Sequence, residues 1–294
     1  MLDVRRLRLL SELARSGTIA QVAKTVGYTP SAISQSLAQL EREVGVALLE
    51  RDGRRVRLTP AAVALAARTE RVLEELDAAE ADLAAEQGTV RGELTIGAFP
   101  SAAAGLVVPA VAELGRRHPQ LACVVKEHEP EDGIPLLRSG ELDLLVSEGY
   151  DEVERAPAGG LEEHPLLIEP LLLVLPQSDS RGERVALSAF ADAAWIGGLA
   201  GTQFAAALER ACRSAGFAPR VVHRADDAVL FHRLVQAGLG VGLLPRLACD
   251  RSAGVRLASV TPAAPRRHVS ALVRRGAARR PALQAVLDAL ASAP

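Results

Sequence analysis

The strongest constraint in this sequence is a segment at residues 29–44 that has the pattern of an amphipathic helix. Thr29 can cap the helix by accepting a backbone N–H, and Pro30 suits the first helical position, where no N–H donor is needed. Leucine, isoleucine and valine recur at helical spacing and form one apolar face. The opposite face carries short polar side chains that can enter a DNA major groove and contact base edges. A surface helix with a solvated polar face is the alternative that this segment alone leaves open.

The residues before this helix favour the DNA-binding interpretation. Residues 18–25 predict a shorter helix, in which the small side chain of Ala23 lets a second helix pack closely. Gly27 lies at the predicted turn, where it can adopt left-handed backbone angles at little cost. Another helix, predicted from Val4 to Ser16, is expected to brace the pair. Together these segments predict a helix-turn-helix.

The next segment predicts a basic β-hairpin. Asp52-Gly53 is a hairpin turn signal between two short segments with apolar flanks. The hairpin would direct Arg51, Arg54 and Arg55 to the DNA backbone or a narrow minor groove, although a charged hairpin can also be merely solvated. The charge distribution supports DNA contact, because residues 1–58 hold ten Lys/Arg and six Asp/Glu, a net charge of +4 in a chain whose net charge is −2.

Residues 22–26, 29–37 and 44–51 resemble the LysR-type transcriptional regulators. The resemblance continues through residues 53–61 and, more loosely, over the whole chain, and it implies a winged helix-turn-helix at residues 1–58. One departure is Pro30, which has no hydrogen-bond donor and stands where many family members carry a base-contacting glutamine. Ser31, Ser34 and Gln35 are therefore expected to carry more of the base recognition. The predicted DNA-contacting residues are Thr29, Pro30, Ser31, Ser34, Gln35, Gln39, Arg51, Arg54 and Arg55.

A long helix is predicted next, from Ala61 to about Gln87, within a linker at residues 59–88. Its apolar residues are spaced by seven, four, three and four positions, which is typical of a coiled coil. Pairing with a second copy would cover this stripe, and packing against the C-terminal domain is the alternative. The family uses this helix for dimerisation, so the resemblance implies a homodimer through residues 60–87 and a homotetramer. The stripe consists of Leu65, Val72, Leu76, Ala79 and Leu83.

From residue 89 onward, predicted strands alternate with predicted helices, which indicates parallel β-α-β units. The overall fold class is therefore α/β, preceded by an all-α-dominated N-terminal winged helix-turn-helix. Two lobes are predicted, one at about residues 89–162 plus 267–294 and the other at about 163–266. This arrangement resembles the two-lobed, periplasmic-binding-protein-like effector domain of the LysR-type family.

Loops at the carboxyl ends of the predicted strands are the candidate effector site, because open α/β sheets bind ligands there. Ser101 and Thr202 match positions that hold an effector carboxylate in related regulators, although each can also be only a helix cap. Glu148 and Asp226 are candidates for recognising an ammonium group. The predicted effector-contacting residues are Phe99, Pro100, Ser101, Ala102, His128, Ser147, Glu148, Thr202, Gln203 and Asp226.

Other classes of protein find little support in the sequence. No phosphate-binding loop, nucleophile elbow or HExxH zinc motif is present, so no catalytic, cofactor or metal site is predicted. The three cysteines are odd in number and far apart, which indicates neither a disulfide framework nor a zinc site. The charged start and the lack of a long apolar run favour a cytoplasmic protein.

The leading hypothesis is therefore a sequence-specific DNA-binding transcription regulator whose activity responds to a small-molecule effector. A small-molecule binding protein with a vestigial DNA-binding domain is the alternative, and an enzyme built on the α/β domain is the third and weakest interpretation. The effector, the promoter and the direction of regulation stay open.

Overall fold

The computed structural model describes residues 2–52, 55–86, 90–151, 153, 159–250 and 252–292. The chain forms two compact units. The first unit consists of Met1–Val146, Ala158–His164 and Ala271–Pro294, and the second of Ser147–Pro157 and Pro165–Ser270. None of the described helices is both long and apolar enough to cross a membrane.

The first unit begins with the predicted helix-turn-helix and hairpin. Asp3 caps α1 by accepting the backbone N–H groups of Arg5 and Arg6, and Gly17 ends that helix with a φ of 75°. The antiparallel hairpin pairs Leu49 with Leu58. The elements are α1 Val4–Ser16, α2 Ile19–Thr25, α3 Pro30–Val44, β1 Leu49–Asp52, β2 Arg55–Leu58 and α4 Pro60–Glu86.

One apolar core holds this region together. Ala23 is buried between α2 and α3, so the small side chain predicted at the helix crossing is confirmed. The start of α4 joins the same core through Ala62 and Ala66. Farther along α4 the predicted stripe is uncovered within this chain, and Leu83 is 68% exposed. The other core residues are Leu7, Leu10, Leu13, Val22, Ile33, Leu37, Leu40 and Leu48.

The α/β part of the first unit has a parallel sheet, in which β3 lies between β4 and β5. The sequence pattern predicts helices from about Ser101 to Arg117 and from Ile134 to Ser139, and both have different bounds in the structure. The helix expected from Ser101 instead contains a π-helical turn, Ala103–Val107, before Pro109, which cannot donate an α-helical hydrogen bond. The helix expected from Ile134 begins four residues earlier, because Pro130 suits its first position. The elements are β3 Gly92–Ala98, α5 Pro100–Ala102, α6 Val108–Arg117, β4 Leu121–Glu127, α7 Pro130–Ser139 and β5 Leu144–Tyr150.

The second unit has a mixed sheet, whereas parallel pairing was expected. Strand β6 pairs antiparallel with β10 and β11, and β11 pairs parallel with β7. Strands β7 and β11 were not predicted, since β7 has only three residues and its flanks are polar. Trp195 is fully buried in the core. The strands are β6 Leu161–Pro176, whose first four residues belong to the first unit, β7 Arg184–Ala186, β8 Ala194–Gly197, β9 Arg220–Arg224, β10 Gly242–Pro245 and β11 Val255–Thr261, and the helices are α8 Gln203–Ser214 and α9 Ala228–Gln236.

The glycine-rich segment that precedes β10 combines a turn with close backbone packing. Gly238 forms the turn with a φ of 72°, a left-handed conformation that glycine adopts at little cost. A Cβ atom on Gly242 would lie 2.7 Å from the carbonyl oxygen of Ile196, so a larger residue would push β10 away from β8. The chain then passes through β12 Arg266–Arg274 and ends in α10 Pro281–Ala291 within the first unit.

Candidate DNA-binding surface and effector-binding elements

The first turn of α3 presents a capped, exposed polar surface. The Thr29 hydroxyl accepts the backbone N–H of Ala32 at 3.2 Å and lies 2.9 Å from the Ser31 hydroxyl. The Ser34 hydroxyl donates to the carbonyl of Pro30 at 2.9 Å, so its oxygen can still accept from a ligand. Gln35 is exposed, and among the described residues its amide has no hydrogen-bond partner.

Gln39 and Tyr28 differ from their sequence-based interpretation. The amide oxygen of Gln39 accepts two hydrogen bonds from Arg42, at 3.0 and 2.6 Å, so Gln39 is held along its own helix. Tyr28, in the turn before α3, was not among the predicted DNA contacts and is 64% exposed beside the start of α3. An aromatic residue directly before a helix cap is the sequence signal that could have identified Tyr28 as part of the DNA-binding surface.

The hairpin is anchored to α3 by a single carboxylate. Glu41 Oε1 accepts the backbone N–H groups of Leu48 and Leu49, at 2.8 and 3.0 Å. The two predicted strands are confirmed. Of the predicted wing arginines, Arg54 lies outside the described residues, as do the side chains of Arg51 and Arg55.

In the first unit, two predicted effector-binding elements meet at one end of β3. The backbone N–H of His128 donates to the carbonyl of Ala98 at 3.0 Å, which places His128 beside the loop that enters α5. Phe99 and Ala102 are buried there, Pro100 is exposed and Ser101 is half-buried. Phe99 is the N-cap residue of α5, so Ser101 lies inside this short helix and is not its cap.

In the second unit, Glu148 belongs to a buried charge network. Its carboxylate accepts from Arg267 Nη1 and from the Tyr150 hydroxyl, each at 3.0 Å. Arg267 is 3% exposed, and its Nε donates to Glu169 Oε1 at 2.8 Å. Arg267 therefore already provides Glu148 with the positive partner that was expected from an ammonium ligand. Ser147 is buried beside it.

The pKa values of this network follow from burial and from its charges. Burial, followed by the negative charge of Glu148, holds the pKa of Tyr150 well above its ordinary value. Burial acts to lower the pKa of Arg267, but the charges of Glu148, Tyr150 and Glu169 outweigh it and hold that pKa above its ordinary value. The network is therefore a closed group of paired charges. Sequence reasoning missed Arg267, because its carboxylate partners lie 119 and 98 residues away along the chain.

The start of α8 brings together the other predicted residues of the second unit. Thr202 caps α8 by accepting the backbone N–H of Ala205 at 3.1 Å, and its hydroxyl donates to the carbonyl of Leu199 at 2.9 Å. Asp226 Oδ1 accepts the N–H of Leu199 at 2.9 Å, so this carboxylate holds the loop. Gln203 Oε1 is buried and has no hydrogen-bond partner within the described part of the chain.

Two of the three cysteine side chains are poorly suited to thiolate chemistry. Cys212 is fully buried, and burial raises the pKa of its thiol to about 12. Burial also raises the pKa of Cys123. The thiol of Cys249 donates to the carbonyl of Pro245 at 3.4 Å. Since the thiolate is the reactive form, Cys212 and Cys123 are held in the unreactive one. Among the described residues, no cluster of His, Cys, Asp and Glu could hold a metal ion.

Two family profiles together match most of the chain. Residues 4–63 match the profile described as "Bacterial regulatory helix-turn-helix protein, lysR family". Residues 87–294 match the profile described as "LysR substrate binding domain".

Two curated relatives match along nearly the whole chain. A probable hydrogen peroxide-inducible genes activator of Streptomyces viridosporus is 32% identical over 284 residues, which cover 93% of this chain and 88% of the relative. The DNA-binding transcriptional dual regulator OxyR of Escherichia coli (strain K12) is 28% identical over 303 residues, which cover 98% of this chain and 95% of the relative.

Solved structures share the fold. A full-length OxyR variant from Pseudomonas aeruginosa matches with a TM-score of 0.70 at 21% identity, covering 100% of this chain and 96% of that one. Full-length CbnR complexed with its target DNA matches with a TM-score of 0.57 at 22% identity, covering 98% of each chain.

Proposed function

Because the chain belongs to the LysR family of transcriptional regulators, we propose that the exposed polar residues at the start of α3 read the DNA sequence that it binds. The protein is a DNA-binding transcription regulator with an N-terminal helix-turn-helix domain and a C-terminal effector-binding domain. The observation that carries the proposal is the exposed amide of Gln35 beside Ser31 and Ser34 on a capped helix. An amide of this kind can form two hydrogen bonds to adenine in the major groove.

The other predicted DNA-contacting residues are proposed either to position the protein on DNA or to contribute less to base recognition. Arg51, Arg54 and Arg55 are proposed to contact phosphates, which fix orientation without reading sequence. Thr29 positions the helix through its cap, and Pro30 contributes only backbone shape. Gln39 is proposed to contribute less than Gln35, since its amide oxygen already accepts from Arg42.

A homodimer through residues 60–87 is the proposed assembly, with a homotetramer as its extension. Val72, Leu76 and Leu83 are 47%, 40% and 68% exposed on α4, and a second copy would cover them. The proposed location is the cytoplasm, where the DNA lies. No catalytic step is proposed.

The effector is proposed to be a small molecule that binds within residues 89–294. In the first unit the candidate contacts are Ser101 and His128, next to the end of β3. In the second unit they are Thr202 and Gln203, and the buried oxygen of Gln203 can accept from a ligand that supplies a hydrogen-bond donor. Asp226 and Glu148 are proposed to shape the second unit, because both carboxylates already accept hydrogen bonds within it.

DNA binding is tested by replacing Gln35. The affinity of the full chain for the DNA upstream of its own coding region is measured against a scrambled fragment in a salt series. Gln35→Ala is expected to reduce the preference by about 1–3 kcal/mol, because a bidentate base contact is lost. Gln120→Ala, which removes an exposed amide outside the helix-turn-helix, should leave the preference unchanged. An unchanged preference in Gln35→Ala would place base recognition elsewhere, and equal weak binding by wild-type protein would favour a vestigial domain.

Peroxide sensing is the second candidate, because several relatives are named hydrogen peroxide-inducible activators. We propose instead that the effector binds without reacting with a thiol, since Cys212 is buried and its pKa is raised to about 12. Peroxide treatment is therefore expected to leave DNA affinity unchanged, and iodoacetamide should label Cys212 only after unfolding. A peroxide-induced change in affinity that replacement of Cys123, Cys212 or Cys249 by alanine abolishes would reverse this assignment.

A further inference from the structure

A cavity lies within the first unit, and its walls contain none of the predicted DNA-contacting or effector-contacting residues. Its volume is about 590 Å³, which is within the usual size of small-molecule sites. The walls come from α1, from the helix-turn-helix at Tyr28 and Ser36, from α4, and from the α/β part at Arg138 and Leu161. Any ligand in this cavity would therefore contact both the helix-turn-helix and the α/β part of the first unit.

The charged groups of the cavity are unevenly paired. Asp77 accepts from Arg274 Nε at 3.0 Å and lies 3.8 Å from Arg8 Nη2, so one carboxylate serves two arginines. Glu70 pairs with Arg15 at 2.6 Å. Asp77 and Glu70 are thus already paired with other arginines, whereas Glu12, also on the wall, forms no salt bridge among the described residues and attracts Arg138 through its charge.

Arg138 is the exception among these arginines. Its Nη2 donates to the carbonyl of Gly159 at 3.3 Å, while its Nε is buried without a hydrogen-bond partner in the described chain. Burial, followed by the like charge of Arg15, holds the pKa of Arg138 below its ordinary value, and the negative charges of Glu12 and Glu70 offset this only in part. A nearby anion would relieve both the unmet donor and the like-charge repulsion.

The same cavity also has apolar walls. Leu9 on α1 and Leu73 on α4 are half-buried beside it, and Leu161 is buried at its α/β side. A bare inorganic ion would leave this surface in contact with water. An organic anion would contact both the charged group of Arg138 and the apolar side chains.

We propose that this cavity is a second ligand site, which takes a small organic anion with its charged group on Arg138 and its apolar part against Leu9, Leu73 and Leu161. Phosphate esters and carboxylates share this chemistry. Occupation of the site ties the helix-turn-helix to the α/β part of the first unit, and this role is separate from that of the proposed effector-binding residues.

The test is calorimetric titration of the full-length protein with phenylphosphate. Saturable binding at one site per chain is expected. Arg138→Gln should weaken it about tenfold or more, because a charge-assisted hydrogen bond is lost. Arg117→Gln, which removes an exposed arginine outside the cavity, should bind like wild type. Benzyl alcohol, which lacks the anion, and inorganic phosphate, which lacks the ring, should each bind more weakly than phenylphosphate.

Two further variants distinguish this site from the proposed effector residues. Leu73→Trp keeps every charge but fills the cavity, so it should abolish binding, with melting curves showing that the variant is folded. The double variant Ser101→Ala/Thr202→Ala should bind phenylphosphate like wild type. The proposal is overturned by the absence of saturable binding, by wild-type affinity in Arg138→Gln, or by a loss of binding in the double variant. None of these results depends on DNA binding.

Discussion

Arg138 in the first unit and Arg267 in the second unit show two ways of placing a guanidinium away from water. Arg267 is almost fully buried and donates to both Glu148 and Glu169. Arg138 is half-buried, has one unpartnered buried nitrogen, and has no carboxylate within salt-bridge distance among the described residues. The surrounding charges hold the pKa of Arg267 above its ordinary value, whereas burial and Arg15 hold that of Arg138 below it.

The difference distinguishes an arginine that stabilises the fold from an arginine that can bind a ligand. Burying a charge costs several kcal/mol unless a partner compensates it, so the closed network around Arg267 must form for the second unit to pack. Arg138 avoids most of that cost because it opens on a cavity. A paired arginine therefore stabilises the fold, while an unpaired arginine beside a cavity is free to bind a ligand.

The largest effect on stability is expected from Arg267→Gln, which tests this comparison directly. This change leaves Glu148 and Glu169 buried without their positive partner, so the free energy of unfolding of the second unit should fall by about 3–5 kcal/mol. The measurement is urea unfolding of the full chain followed by the fluorescence of Trp195, which lies in the second unit. Arg210→Gln, which removes an exposed arginine of the same unit, is the control and should change little. Equal midpoints for the two variants would mean that the network contributes no net stability.

The parts of the fold that depend on residues close to one another in the sequence could be predicted. The N-caps Thr29 and Thr202 were recognisable because a capping side chain acts only on the next turn of backbone. The helix-turn-helix was recognisable for the same reason, since Ala23, Gly27 and the apolar face of α3 all lie within one short segment.

Pairings between distant residues could not be predicted. Glu148 was interpreted as a ligand for an ammonium group because nothing near it in sequence shows that Arg267 faces it. The cavity beside Arg138 was not anticipated at all, since its walls come from several separated parts of the chain. Gln39 was overvalued because its contact with Arg42 depends on the side-chain conformation that each residue adopts.

A smaller effect is expected at Glu12, the buried carboxylate on the cavity wall. Burial raises its pKa in the folded protein, although Arg138 and Arg15 oppose this. The folded state therefore binds the proton more tightly than the unfolded state, and stability falls as pH rises from the ordinary pKa to the folded one. Glu12→Gln removes the titration, so it should unfold at a slightly higher temperature than wild type at pH 7.

The pH dependence distinguishes this explanation from a general packing effect. The difference in melting temperature between Glu12→Gln and wild type should shrink as the pH falls through that range, because Glu12 is then protonated in both states. Glu113→Gln, which alters an exposed carboxylate, is the matched control. A difference that is the same at every pH would show that the pKa of Glu12 is the same in the folded and unfolded states.

The smallest change in stability is expected from Arg138→Gln, the counterpart of Arg267→Gln. The substitution loses the bond to the carbonyl of Gly159 and the attraction of Glu12 and Glu70, but it also removes a buried unpartnered donor and the repulsion from Arg15. These effects oppose one another, so the free energy of unfolding should change by no more than about 0.5 kcal/mol. Thermal unfolding of the full chain without added anions measures it. A loss as large as that of Arg267→Gln would mean that Arg138 is already neutralised within the fold, and the cavity would then have no free charge to offer a ligand.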